Sequence, residues 1–267
     1  MKTVDYIVVG AGSAGCALSA RLASAGKQVL LLEAGPADNH PYIHIPGTFI
    51  RVHGTRRTWM YRTEPEPFVN QRQVYIPQGR TLGGGSSVNA MIYIRGQAQD
   101  YDHWEASGCP GWGWQDVLPV FRRCESNARL GGELHGQQGP LNVSDPRHHH
   151  ALSRAFVQAA VGAGVPATDD FNGARQEGAG FYQTTTSHGR RASSAVSYLR
   201  PLRNDPNLKV LTDTHVTELL FDGARVIGVQ ASGRDGVARR FTARADVIIS
   251  AGASASPKLL MVAGIGA

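Results

Sequence analysis

The chain has 267 residues, of which 42% are hydrophobic and 18% charged, proportions of a soluble globular protein that exclude a disordered or fibrous one. That length admits one large domain or two smaller ones. A net charge of +6 raises nucleic acid as a partner, but the basic residues are nearly all arginine and lie dispersed as doublets such as Arg56-Arg57, Arg122-Arg123, Arg190-Arg191 and Arg239-Arg240, a pattern of solvated surface from which no nucleic-acid binding is expected.

Val4 to Val9 is a short β-branched run that predicts a strand buried on both faces. Gly10-Ala11-Gly12-Ser13-Ala14-Gly15 follows at once. Ala14 to Ala25 then has helical spacing with a stop at Gly26, and Gln28 to Leu32 predicts a second buried strand ending in Glu33. Strand, glycine turn, helix, strand and acid in that order form a dinucleotide-binding βαβ unit. Gly10 allows the tight turn, Gly12 lets backbone approach a pyrophosphate, and Gly15 lets the helix pack on the sheet. The helix start offers unpaired N–H groups and a positive dipole end to phosphate. Glu33 is placed to reach ribose hydroxyls and to repel a 2′-phosphate, which disfavours NADP. The unit does not choose between NAD and FAD.

The apolar runs are strand-sized, so no transmembrane segment is predicted. A strand starting at Val4 leaves no room for a cleavable signal peptide. Cys16, Cys109 and Cys124 show neither paired nor metal-ligand spacing, which points to a reducing cytoplasm and no metal site.

From Gly35 to Gln78 prolines punctuate the chain and no periodicity is visible, so a long irregular stretch wrapping a cofactor is expected, with Trp59, Tyr61 and Phe68 as apolar anchors. Gly83-Gly84-Gly85-Ser86-Ser87 predicts a nest of aligned N–H groups, and Val88 to Ile94 looks helical and apolar. A second glycine nest suits the redox ring of a bulky cofactor better than a simple NAD site. Gln115 to Glu125 predicts a helix with Val117, Leu118, Val120 and Phe121 inward, and the neighbouring aromatic residues Trp104, Trp112 and Trp114 read as core. His148-His149-His150 reads as a solvated helix start, because adjacent histidines on a helix diverge. Ala151 to Ala163 predicts an amphipathic helix, followed by a Val165-Pro166 turn and an acidic loop at Asp169-Asp170. Leu208 to Thr212, His215 to Phe221, Arg225 to Ala231 and Val237 to Ala243 predict a small antiparallel meander joined by Asp-Gly and Gly-rich turns. Asp246 to Ser250 then predicts a fresh buried strand rejoining the parallel sheet.

Gly79 to Asp102 (Gly79-Arg80-Thr81-Leu82-Gly83-Gly84, then Val88, Asn89, Tyr93, Gly96 and Asp102) resembles the first signature of the glucose–methanol–choline (GMC) flavoprotein oxidoreductases. Gly252 to Gly266 resembles the second, departing only in Ala263, where the family usually has serine. Thr63-Glu64-Pro65-Glu66-Pro67 and Gly189-Arg190-Arg191-Ala192-Ser193 resemble the choline-dehydrogenase-like branch. The resemblance implies an α/β, Rossmann-type FAD-binding fold: a parallel sheet with the βαβ unit, an antiparallel meander, and part of a second, substrate-binding domain. Residues 1–142 and 207–267 would form two parts of the FAD domain, with 143–206 a partial substrate segment.

By the same resemblance, FAD is the cofactor and an alcohol the substrate. Gly10, Gly12, Ser13, Ala14 and Gly15 would meet the pyrophosphate, with Glu33 and Ala34 at the adenosine ribose. Trp59, Arg80, Leu82, Gly83 and Gly84 would line the flavin side, and Asn89, Ala90, Met91 and Ile92 would run beside the isoalloxazine ring. Val216 would receive the adenine through its backbone, with Ala251 beside it. Some relatives attach the flavin through a histidine in the first signature. Val88 stands there, so non-covalent FAD is expected. Family members run on further, and the remainder would hold most of the substrate domain and the catalytic histidine with its partner. None of the ten histidines here lies in a matching motif, so no catalytic residue is assigned. The alternative expectation is an FAD-binding fragment that is catalytically incomplete. The alcohol, the electron acceptor and the oligomeric state are not indicated.

Overall fold

A computed structural model describes residues 3–266. The first strand, β1 (Thr3–Val9), runs into helix α1 (Ser13–Ser24), which ends at Ala25 and Gly26, whose φ of +76° stops it. Strand β2 (Val29–Leu32) follows. The stretch expected to be irregular instead carries a short helix, α2 (Pro41–His44), a 3₁₀ segment at Pro46–Val52, and a hairpin of β3 (Thr58–Arg62) and β4 (Tyr75–Gly79). The hairpin pairs Thr58 with Gly79 and Arg62 with Tyr75. Five-residue strands separated by a long connection leave little alternation to read, which hid them.

Next come α3 (Ala98–Ala106), α4 (Trp114–Cys124), β5 (Glu125–Asn127), β6 (Leu141–Val143), α5 (Ala151–Gly162), β7 (Thr186–Ser187) and β8 (Arg190–Arg191). The chain closes with β9 (Leu208–Leu211), β10 (His215–Asp222), β11 (Arg225–Ser232), β12 (Ala238–Ile249) and α6 (Ala255–Val262).

Six strands form one sheet in the order β10-β11-β12-β1-β2-β9. Strands β12, β1, β2 and β9 are parallel neighbours, while β10, β11 and β12 are antiparallel. Two expectations are corrected here. Leu208 to Thr212 does not open the meander; Leu208–Leu211 pairs with β2 in parallel, Leu30 opposite Lys209. Nor is Asp246 to Ser250 a fresh strand. It continues β12, whose first half pairs with β11 and whose second half pairs with β1, the change falling at Thr242, which pairs with both Gly228 and Thr3, just before an irregularity opposite Val4 and Tyr6. A bulge bends a strand without ending it, so one strand serves both partners.

Alternation along β1 and β2 divides the core. Val8, Val29 and Leu31 face α1, through Cys16, Ala20 and Ala23, and the Ala195–Leu199 turn. Ile7, Val9, Leu30 and Leu32 join Val216, Leu219, Val229 and Leu259 on the other side. Both faces of the parallel strands are therefore covered, and the buried stretches Ile7 to Val9 and Val29 to Leu32 are apolar throughout.

The chain divides into two units, Met1–Asn89 with Ser193–Ala267, and Ala90–Ala192. The boundaries thus lie at 89 and 193, whereas the sequence reading set them at 142 and 207. The segment 88–94 is not helical as expected. Only Gly84–Ser87 makes a 3₁₀ turn, and beyond it Met91 takes φ +64° and Ile92 bridges Thr184. Left-handed backbone and β-branched side chains interrupt the helical ladder. The aromatic residues around α3 and α4 gather on Tyr101, yet Trp104 and Trp112 remain 47% and 55% exposed, so they are not the core they resemble. His150 caps α5, its Nδ1 accepting from the Leu152 amide.

Candidate functional site

The βαβ turn is built by packing that tolerates no side chain at two glycines. A Cβ on Gly10 would lie 2.5 Å from the Ser250 carbonyl oxygen, and Gly10 has φ +97°. A Cβ on Gly15 would lie 1.9 Å from the Gly10 oxygen. Gly12 is different: its Cβ would meet nothing within 4 Å. The open side of Gly12 is where a ligand can approach backbone.

The turn is held at Ala11. Its N–H donates to Glu33 Oε2 at 3.0 Å, and its carbonyl accepts from the Cys16 thiol at 3.1 Å and from the Gly83 amide at 2.7 Å. Glu33 Oε1 also accepts from the Gly35 amide at 2.8 Å. Burial pushes the Glu33 carboxyl up to about 7, although both amide hydrogen bonds and the Arg80 charge pull the other way. Each oxygen retains acceptor capacity. Glu33 therefore organises the glycine turn as well as facing the space in front of it.

The second glycine turn meets the first. A Cβ on Gly84 would lie 2.7 Å from Gly12 Cα, and the Gly83 amide bond to Ala11 joins the two loops. Thr81 is fully buried and its hydroxyl donates to the Pro36 carbonyl, fixing the approach of the second loop.

In front of these turns lies a cavity of ≈ 920 Å³, in the upper part of the range of about 300–1,000 Å³ usual for ligand sites. Of the expected residues, Gly10, Gly12, Ser13, Ala14, Glu33, Ala34, Trp59, Gly84, Val216 and Ala251 line it. Gly15 packs behind. Arg80 stands over the Trp59 ring at 4.6 Å, its Nε buried without a hydrogen-bond partner among the described residues. Leu82 and Gly83 hold the second loop by donating amide hydrogen bonds to the Pro36 and Ala11 carbonyls. Asn89 is the last residue of the first unit, and Ala90, Met91 and Ile92 belong to the second.

Sequence reasoning did not place Tyr61, Gln78, Thr214, His215, Ser254 and Lys258 on the cavity wall. Tyr61 stacks on Trp59 at 5.9 Å, and His215 packs on the same indole at 5.5 Å. Burial, with the charges of Arg80 and Lys258, holds the His215 imidazole below its usual range. The signal for Tyr61 and Gln78 was the hairpin that went unread. His215 and Thr214 could have been found beside Val216. Among the described residues no group of His, Cys, Asp and Glu is arranged to hold a metal ion, and no helix is long and apolar enough to cross a membrane.

The arrangement suits an extended anionic ligand. Ser13 and Ala14 expose the first turn of α1, whose N–H groups and dipole attract phosphate. Trp59, Tyr61 and His215 offer flat surfaces, and the edge strand β10 offers main-chain groups beside Val216.

The GMC oxidoreductase family profile matches residues 4–267. The chain is 44% identical to the alcohol dehydrogenase [acceptor] of Pseudomonas putida and 43% identical to the mitochondrial choline dehydrogenase of Mus musculus, over 98% of its own length in both cases. It covers 48% and 45% of those proteins. Among solved structures, pyridoxine 4-oxidase from Mesorbium loti superposes with a TM-score of 0.94 at 35% identity, over 99% of this chain and 52% of that one. An FAD-dependent oxidoreductase from Chaetomium thermophilum gives 0.92 at 29% identity, over 99% and 48%. The chain thus spans about half the length of the relatives it matches.

Proposed function

We propose a function from one premise: the chain belongs to the GMC oxidoreductase family. It binds FAD non-covalently in the cavity before the two glycine turns, as part of a choline-dehydrogenase-like enzyme that oxidises an alcohol to an aldehyde. The observation that carries this reading is the meeting of the two turns. The open face of Gly12 and the second loop at Gly84 and Gly85 front one cavity, a cradle that a single Cβ at Gly12 would begin to fill. A ligand carrying a pyrophosphate between two ring systems fits it.

The chain's own residues divide the work. The exposed N–H groups at Ser13 and Ala14 bind and orient the pyrophosphate. Glu33 holds the turn through Ala11 and Gly35 and has lone pairs left for the ribose hydroxyls. Val216 and Ala251 take the adenine end, while Trp59 walls the cavity with Arg80 over its ring. Asn89, Ala90, Met91 and Ile92 are assigned to the flavin ring by family likeness. When bound, FAD supplies the hydride acceptor for the alcohol carbon. Val88 is buried against Ile43 and Val52 and is a hydrocarbon, so it offers no atom for a covalent flavin bond. No residue of this chain is assigned the removal of the alcohol proton. That favours a second reading, in which the chain alone holds FAD and does not turn over alcohol.

Incubation with FAD followed by desalting and a visible spectrum tests the binding. Flavin bands shifted from those of free FAD are expected; a colourless protein would overturn the proposal. After denaturation the colour should pass into the small-molecule fraction, and colour retained on the polypeptide would refute non-covalent attachment. A panel of small alcohols with a dye acceptor then separates the enzyme from the binding unit.

A further inference from the structure

The unit Ala90–Ala192 contains a buried ring of hydrogen bonds that the FAD reading does not use. Its centre is Glu125, at the start of β5, with a side chain that is 0% exposed. Glu125 Oε2 accepts from Arg95 Nη2 at 2.5 Å and from the Gly136 amide at 3.0 Å. Its Oε1 accepts from Asn127 Nδ2 at 2.8 Å and lies 3.0 Å from His135 Nδ1. The other imidazole nitrogen, Nε2, lies 3.0 Å from Asp170 Oδ2. Asp170 Oδ1 accepts from the Asn172 amide at 2.9 Å, and Asn172 Oδ1 accepts from the Arg95 amide at 2.7 Å. The path leaves Arg95 through its guanidinium and returns to its backbone.

One atom count decides how this ring can close. Ionised carboxylates only accept hydrogen bonds, and a neutral imidazole carries one N–H. His135 stands between two carboxylate oxygens, so both contacts are hydrogen bonds only when both ring nitrogens are protonated. Loss of that proton leaves a lone pair facing a carboxylate in a site where His135 is 3% exposed.

We propose that a proton on His135 closes this ring and thereby fixes the Tyr93–Arg95 backbone, making the segment a pH-dependent clasp. The segment continues directly from Ala90–Ile92. Asn172 grips it twice, through the Arg95 amide and through its own Nδ2 to the Tyr93 carbonyl at 3.2 Å. Asp170 positions Asn172, and His135 ties Asp170 to Glu125. A neutral ring keeps one N–H; Glu125 is 0% exposed and Asp170 23%, so that N–H stays with the buried Glu125, the 168–173 loop loses its tie, and Asn172 releases Arg95.

The groups facing His135 are Glu125 from β5 and Asp170 from the loop. Arg95, Asn127 and the Tyr93 hydroxyl lie beyond Glu125, and Arg129 is engaged by Asp145 and Asp169. Burial alone would lower the His135 pKa, but the hydrogen bonds to Glu125 and Asp170 outweigh it and hold the imidazole above its usual 6.5. Burial likewise opposes ionisation of Glu125, yet His135, Asn127, Gly136 and Arg95 together keep it below 4.5. The histidine's contribution is therefore complete below about 6.5 and is lost as pH rises through its raised value. The clasp is closed below 6.5 and opens as pH rises through the raised value.

The test uses the intact chain with no cofactor. Nitrogen NMR of labelled histidine, from about pH 5 to about pH 9, reads the protons on His135 directly, while hydrogen exchange follows the Arg95 and Asn172 amides. The expected result is a doubly protonated His135 at pH 6.5 and below, titrating above that value. As it titrates, exchange at Asn172 and Arg95 should quicken more steeply than in an unstructured peptide, while the β1 amides keep the ordinary slope. His135→Gln is expected to abolish the inflection and leave Asn172 exchanging fast throughout. A His135 that titrates below 6.5, or Asn172 exchange without an inflection at its titration, would overturn the proposal. Should H135Q not fold, the wild-type titration alone decides.

Discussion

The two invariant demands of the turn, room for packing and room for a ligand, fall on different glycines. Gly15→Ala forces a methyl into the Gly10 carbonyl, 1.9 Å away, so we expect a loss of about 1–3 kcal/mol or more in denaturant melts. Gly12→Ala places its methyl in open space with an ordinary φ of −80°. It should melt like the wild type and still lose flavin binding in a desalting assay, and a variant that kept its flavin would contradict the cradle. Glu33 gives a pH signature. Its carboxyl is raised from 4.5 to about 7, so between those values the folded state holds a proton that the unfolded chain has released. Stability should therefore fall as pH rises from about 4.5 to about 7 and level off above. Glu33→Gln removes the titration, and urea melts across that window should show the slope disappear. The spacing of Glu33 from the glycines was legible in the sequence, but its grip on Ala11 and Gly35 was not, because a hydrogen bond to a backbone amide leaves no pattern in residue identities.

At the scale of elements, burial rather than hydropathy sets what each can tolerate. Leu31 lies in the middle of β2 with no exposed surface, and Leu31→Ala should cost about 2–5 kcal/mol. Helix α5 has the composition of a packed helix, yet none of its residues is buried, and Leu152 and Phe156 are 74% and 76% exposed. Phe156→Ser should shift the thermal midpoint by less than the equivalent of about 0.5 kcal/mol. A loss as large as that of Leu31→Ala would show that the helix face is covered in solution. The βαβ unit was readable because its periodicities are strong and local. The β3–β4 hairpin and the join within β12 were not, because pairing partners and a bulge are decided by distant strands.

For the whole molecule, ligand binding should be visible as linkage. FAD at about 100 times its Kd should stabilise the fold by about 2.7 kcal/mol, read as a rise in melting temperature that grows with FAD concentration. NADP should give less, because Glu33 faces its 2′-phosphate. An equal rise would argue against the role given to Glu33.

By itself the sequence determined the βαβ unit, the two glycine-rich signatures and the family they resemble, since each rests on short-range spacing that backbone sterics enforce. Tertiary structure decided the rest. It joined Gly84 to Gly12 across 72 positions of chain, set β9 beside β2, and carried β12 through both halves of the sheet. It also brought Arg95, Glu125, His135 and Asp170 into one buried ring. Those contacts depend on which faces can be buried together and on where unpaired polar groups find partners. Both are properties of the folded chain as a whole.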